Sequence, residues 1–126
     1  MLLIGPPGAG KSDLLLRLLA RGFELVADDR TDIVDGVGRP VPALAGLLEV
    51  RGLGIFRLPY VTSARLALVV QLGHAAPRMP MPARHDSFDL PVAVVDAHAA
   101  SAPERVGLAL DCALGQVTQI AGSFAV

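Results

Sequence analysis

The stretch LIGPPGAGKSDLLLRLLARGFELVADD, Leu3 to Asp29, decides how this chain reads. An apolar run enters a glycine-rich loop, Lys11 and Ser12 open a run of leucines, and a second apolar run ends on two adjacent carboxylates. The leucines at 14, 15, 18 and 19 recur with helical spacing, which predicts a helix over about Lys11 to Arg21 with Gly22 in the left-handed position after its C-terminus. Leu2 to Ile4 then reads as the end of a buried strand. Phe23 to Ala27 reads as a second strand, with Asp28 and Asp29 at its C-terminal end.

Gly5, Pro6, Pro7, Gly8, Ala9, Gly10, Lys11 and Ser12 match G-x-x-x-x-G-K-[ST]. The pattern has a physical reason. Glycines let successive backbone N–H groups turn toward one anion, and the helix start adds its positive dipole end. Lys11 neutralises the β- and γ-phosphates and the Ser12 hydroxyl ligates magnesium. Ten of the eleven basic residues are arginine and the single lysine is Lys11, so a compact ammonium stands where a crowded phosphate site needs one. The bland reading is a glycine turn that only caps a helix.

A phosphate cradle does not define a reaction. Transfer needs a second element that holds the metal or takes a proton from the nucleophile. Asp28 and Asp29 are the candidates, and because strand neighbours face opposite ways, one addresses the metal side while the other faces the acceptor; an acidic turn without a task is the alternative. Glu49 and Arg51 alternate in LLEVRGLGIF, which puts them on one strand face, either as a buried ion pair or as a magnesium ligand and a phosphate contact. The bend Arg51 to Gly54 lets backbone approach a ligand. Arg78 and Arg84, with His74 and His85, lie in residues 73–89, a stretch rich in Pro and Gly and without hydrophobic period that reads as a mobile loop able to deliver an arginine or as solvated surface.

Elsewhere, RTDIVDGVGRPV suggests a hairpin turning at Asp35-Gly36. A helical turn is expected at Ala43 to Leu47, and strands at Leu48 to Arg51, Ile55 to Leu58, Arg65 to Leu72 and Leu90 to Val95. Ser101 and Glu104 read as a capping box for a helix from Ala102 to Leu114 with Val106, Leu110 and Ala113 inward, and the tail is expected to fray. The 126 residues suit one domain of α/β class with a partly antiparallel sheet. No apolar run reaches membrane-helix length and no signal segment is visible, so a soluble cytoplasmic protein is expected. The net charge of -1, the absence of Trp and the single Tyr argue against nucleic acid or anionic lipid as partner. Cys112, the one cysteine, fits an apolar helical pattern as a buried structural thiol.

GPPGAGKS, RGFELVADD and LLEVRGLGIF, in that order, resemble the C-terminal catalytic domain of the HPr kinase/phosphorylase family, in particular its short bacterial forms, over about Leu2 to Leu72. The resemblance implies a P-loop kinase of the phosphoenolpyruvate carboxykinase-like type, a mixed sheet with flanking helices, that uses Mg-ATP to phosphorylate a serine of an HPr-like phosphocarrier protein and in many members removes that phosphate with inorganic phosphate. By motif, Lys11 would bind phosphates, Ser12 and Glu49 would hold Mg²⁺, and Asp29 would be the general base. Arg51 to Ile55 match the family signature, and Arg78 matches the arginine of the flexible loop. Long members form hexamers, so a homo-oligomer is admitted. The family usually has a strand with an active-site histidine before the loop, and only four residues precede Gly5 here, so either the chain is a shortened form, expected to lack an edge strand of the sheet, or its beginning is missing, and the reverse reaction is left open. A P-loop kinase of a small metabolite and a nucleotide-sensing module without transfer remain as alternative readings.

Overall fold

Eight short strands and two helices make up the computed structural model, which describes residues 1–125. The backbone divides into two units, one built from Met1–Lys11 and Leu66–Val126, the other from Ser12–Arg65.

The first unit holds a parallel three-stranded sheet. Strands β1 (Leu2–Ile4), β7 (Val69–Gln71) and β8 (Val92–Val94) lie in the order β1-β7-β8, with Leu2 opposite Val69 and Val69 opposite Val92. The central strand is covered on both faces, which is why it reads as an unbroken apolar run: Leu68, Val69, Val70 and Leu72 have no exposed surface. Helix α2 (Ala102–Ala113) buries Ala102, Val106 and Ala109.

The second unit holds the rest of helix α1 (Lys11–Leu19) and two antiparallel sheets. Leu14 and Leu18 are the buried stripe of α1. Gly22 takes φ +95°, and the amides of Gly22 and Phe23 return to the carbonyls of Leu19 and Leu18, the paired bonds of a Schellman cap. Strands β2 (Thr31–Val34) and β3 (Val37–Pro40) join through Asp35 (φ +52°) and Gly36 (φ +74°), a tight hairpin turn that needs positive φ at both positions. Strand β6 (Ala64–Arg65) adds to β3, while β4 (Leu47–Val50) and β5 (Gly54–Arg57) form the other hairpin.

Several expectations are corrected. Phe23 to Ala27 is not a strand. Leu25 is buried as its apolar pattern suggests, but a strand needs a ladder, and one backbone bond, Val61 N–H to Leu25 C=O, is what this segment makes with a distant partner. Asp28 and Asp29 therefore sit on irregular chain. Arg65 to Leu72 is not one strand either, because residues 64–65 pair with β3 and residues 69–71 pair with β1 and β8. Parallel and antiparallel pairings consequently occur in separate sheets rather than in one mixed sheet. The helical turn expected at Ala43 to Leu47 is a 3₁₀ turn at Pro42–Leu44.

At the start of α2, Ser101 caps nothing. Its Oγ accepts the Arg105 Nε–H at 2.8 Å, so the capping box does not form. Leu110, Ala113 and Cys112 are half-buried, not core residues. The tail is held through residue 125, where the amides of Phe124 and Ala125 donate to Gln119 Oε1; the last residue lies outside the described range.

Candidate active site

In the parallel sheet, backbone bonds continue past the paired strands, from Leu72 N–H to Ile4 C=O and from Val95 N–H to Gln71 C=O. The three chain segments therefore leave the carboxyl edge side by side, as Gly5, Gly73 and Asp96. In open α/β sheets that edge is where ligands bind. Here it carries a cavity of about 400 Å³ lined by Pro6, Pro7, Gly8, Ala9, Gly73, His74, Ala75, Asp96 and His98.

Glycines are required at this edge because backbones meet there. A Cβ on Gly73 would stand 2.8 Å from Pro6 Cδ, and Gly73 has φ +81°. Gly8 and Gly10 also take positive φ, +83° and +90°, and the Ala9 amide closes a turn onto the Pro6 carbonyl. The loop motif is thus folded with a strand before it and α1 beginning at Lys11.

In the second unit, the Ser12 hydroxyl donates to Asp28 Oδ1 at 3.0 Å and to Oδ2 at 3.1 Å. Asp28 is half-buried and Asp29 is exposed, which separates the two carboxylates in environment. Glu49 lies on β4 opposite Ile55, but Arg51 lies in the turn before β5, so the two do not share a strand face. Both are exposed and neither side chain makes a hydrogen bond or ion pair among the described residues, which rules out the buried ion pair. Among the described residues no hydrogen bond or ion pair links either of them to Ser12 or Asp28.

Arg78 is exposed and is not part of the cavity wall. Residues 73–89 contain no helix or strand among the described residues. Their second half is nevertheless tied: Arg84 Nε bonds Asp89 Oδ1 at 2.8 Å, Arg84 Nη2 donates to the Asp89 carbonyl, His85 and Leu90 pair through the backbone, and His85 stacks on Phe88. Asp96 and His98 are cavity residues that belong to no motif in the sequence. The available signal was their position just beyond an apolar strand, since such ends converge in a parallel sheet.

The fit of the oxygen donors to magnesium follows from Ser12 and Asp28. Mg²⁺ keeps several waters and takes one or two protein oxygens, so a hydroxyl fixed by a carboxylate suits it without a larger cage. No group of three or more His, Cys, Asp or Glu is assembled for a metal among the described residues. No helix among them is long and apolar enough to cross a membrane.

Residues 1–78 match the family model described as HPr Serine kinase C-terminal domain. The chain is similar to the HPr kinase/phosphorylase of Clostridium novyi (strain NT), 49% identical over 63 residues, 47% of this chain and 20% of the relative. It is similar to the HPr kinase/phosphorylase of Burkholderia cenocepacia (strain HI2424), 48% identical over 84 residues, 57% of this chain and 26% of the relative. These matches span about a quarter or less of the relatives' lengths. Its fold is similar to that of the Hpr(Ser) kinase/phosphatase from Coxiella burnetii, with a TM-score of 0.66 and 22% identity over 90% of this chain and 82% of the other.

Proposed function

The chain belongs to the HPr Serine kinase C-terminal domain family, and on that footing we propose that it transfers the γ-phosphoryl group of ATP to a serine of an HPr-like phosphocarrier protein and, with inorganic phosphate as acceptor, runs the reverse step. The observation that carries the proposal is the folded loop Gly5 to Lys11 at the carboxyl edge of the parallel sheet, beside a cavity. We further assign the fold to the P-loop kinases related to phosphoenolpyruvate carboxykinases and the site of action to the cytoplasm, where ATP and such a carrier meet.

In this reading the loop amides and Lys11 bind the phosphates and disperse charge on the transferring group. Ser12 and Glu49 are the residues that would hold Mg²⁺, and Asp28 fixes the Ser12 hydroxyl for it. When bound, the ion would supply charge neutralisation to the phosphates. Asp29, exposed next to the engaged Asp28, accepts the proton of the serine hydroxyl and orients its oxygen for in-line attack. In dephosphorylation, Asp29 takes a proton from inorganic phosphate, whose oxygen attacks the phosphoserine phosphorus; the bond to the serine oxygen breaks, that oxygen takes the proton back from Asp29, and pyrophosphate and free serine result. Arg51 and Arg78 contact phosphate or acceptor.

The test is intact-mass analysis and phosphosite mapping of an HPr-like carrier incubated with the chain and Mg-ATP, with Lys11→Ala as control. One phosphate on one carrier serine, lost with Lys11→Ala, is the expected result. ADP binding without any phosphate on the carrier would overturn the assignment of acceptor and move it to a small molecule.

A further inference from the structure

We propose that His98, on the turn between β8 and α2, is a phosphate contact of the bound nucleotide, and that Asp96 is the positioning residue that holds it there. The proposal rests on the reading of the Gly5 to Lys11 loop as a nucleotide site and adds a residue outside the loop motif.

Three observations carry it. First, the cavity wall is mostly Pro, Gly and Ala, and the side chains in it able to hydrogen-bond are His74, Asp96 and His98. Second, the His98 ring lies directly on the last glycine of the loop: a Cβ built at Gly10 would stand 3.1 Å from His98 Cε1 and 3.6 Å from Nδ1. Third, the root of that side chain is fixed, because the His98 backbone N–H donates to Asp96 Oδ1 at 2.9 Å, while neither ring nitrogen has a partner among the described residues.

An imidazole so placed has one function that matches its neighbours. Gly10 and Lys11 belong to the segment whose amides and ammonium address the phosphate chain, and an imidazole N–H beside them adds a donor where negative charge gathers. The Asp96 carboxylate is an acceptor only, and its bond to the His98 amide gives it the task of shaping the turn. Because the ring meets Gly10 on the loop itself, its position favours the phosphates over the base. A side chain at position 10 would collide with the ring as well as strain the backbone, so this contact is a second reason for glycine there.

The experiment compares ADP with adenosine, each by competition against a fluorescent nucleotide, for the unaltered chain, His98→Ala, His98→Gln, Asp96→Ala and Lys11→Ala, with thermal midpoints as a folding check. His98→Ala should weaken ADP about five- to tenfold and leave adenosine unchanged. His98→Gln, which keeps an N–H donor, should recover part of the loss, and Asp96→Ala should weaken ADP in the same direction by less. Unchanged ADP affinity in His98→Ala, or equal weakening of ADP and adenosine, would overturn the proposal. If Lys11→Ala loses ADP while His98→Ala keeps it, this inference alone fails; if the unaltered chain does not bind ADP, the loop reading fails with it.

Discussion

The Ser12 hydroxyl donates to both carboxylate oxygens of Asp28, at 3.0 and 3.1 Å, across 16 positions of sequence. The pair joins the second residue of α1 to the irregular segment that carries the acidic residues, and it gives adjacent carboxylates different surroundings. Asp28 is engaged and half-buried, and Asp29 is exposed.

If this bond prepares a metal ligand, Ser12→Ala and Asp28→Ala should each remove the Mg²⁺-dependent gain in ADP affinity, about tenfold, and the double variant should lose no more than either alone, because neighbours in one hydrogen-bond network are not additive. Titration of ADP with and without Mg²⁺ reads this directly. Additive losses would mean that the two residues act separately.

Asp29→Asn should lower kcat for carrier phosphorylation by about 10²- to 10⁴-fold while ADP affinity stays within about twofold, the pattern of a group that acts on the proton in the transition state. Steady-state transfer assays paired with nucleotide titration decide it. Transfer at the original rate would remove Asp29 from the mechanism.

Arg51 lies exposed in the β4–β5 turn and its side chain makes no hydrogen bond or ion pair among the described residues. Arg51→Ala should therefore shift unfolding free energy by less than about 0.5 kcal/mol, as surface changes usually do, yet reduce transfer. Urea unfolding alongside the transfer assay separates a contact to phosphate or acceptor from a structural role.

Chelation with EDTA should stop transfer, and added Mg²⁺ should restore it. Nucleotide binding should weaken without vanishing, since loop amides and Lys11 remain. Transfer that persists in EDTA would exclude the assignment of Ser12 and Glu49 to a metal.

Two glycines with positive φ make an internal comparison of stability. A Cβ on Gly46 (φ +75°) would stand 2.7 Å from the Leu58 carbonyl oxygen and 2.8 Å from Tyr60 Cδ1, whereas one on Gly52 (φ +87°) meets nothing within 4 Å. Gly52→Ala should cost about 1 kcal/mol of backbone strain. Gly46→Ala adds overpacking against backbone, about 1–3 kcal/mol more. Denaturant midpoints in that order are the expected outcome.

The local devices follow from residue order alone. The loop motif, the leucine stripe of α1 with its Gly22 cap, and the Asp35-Gly36 hairpin each depend on residues within a few positions of one another, where spacing and φ preference suffice. The family was legible for the same reason, since its motifs are contiguous. Tertiary structure decided what depends on partners far away in the chain. Leu25 is buried, yet no ladder forms around it, and Arg65 to Leu72 changes sheets midway because pairing is a property of two strands and not of one. Ser101 bonded Arg105 instead of capping, a local competition that residue types leave open. Asp96 and His98 join the cavity because parallel strands bring their carboxyl ends to one edge, and that convergence appears only when β1, β7 and β8 are paired.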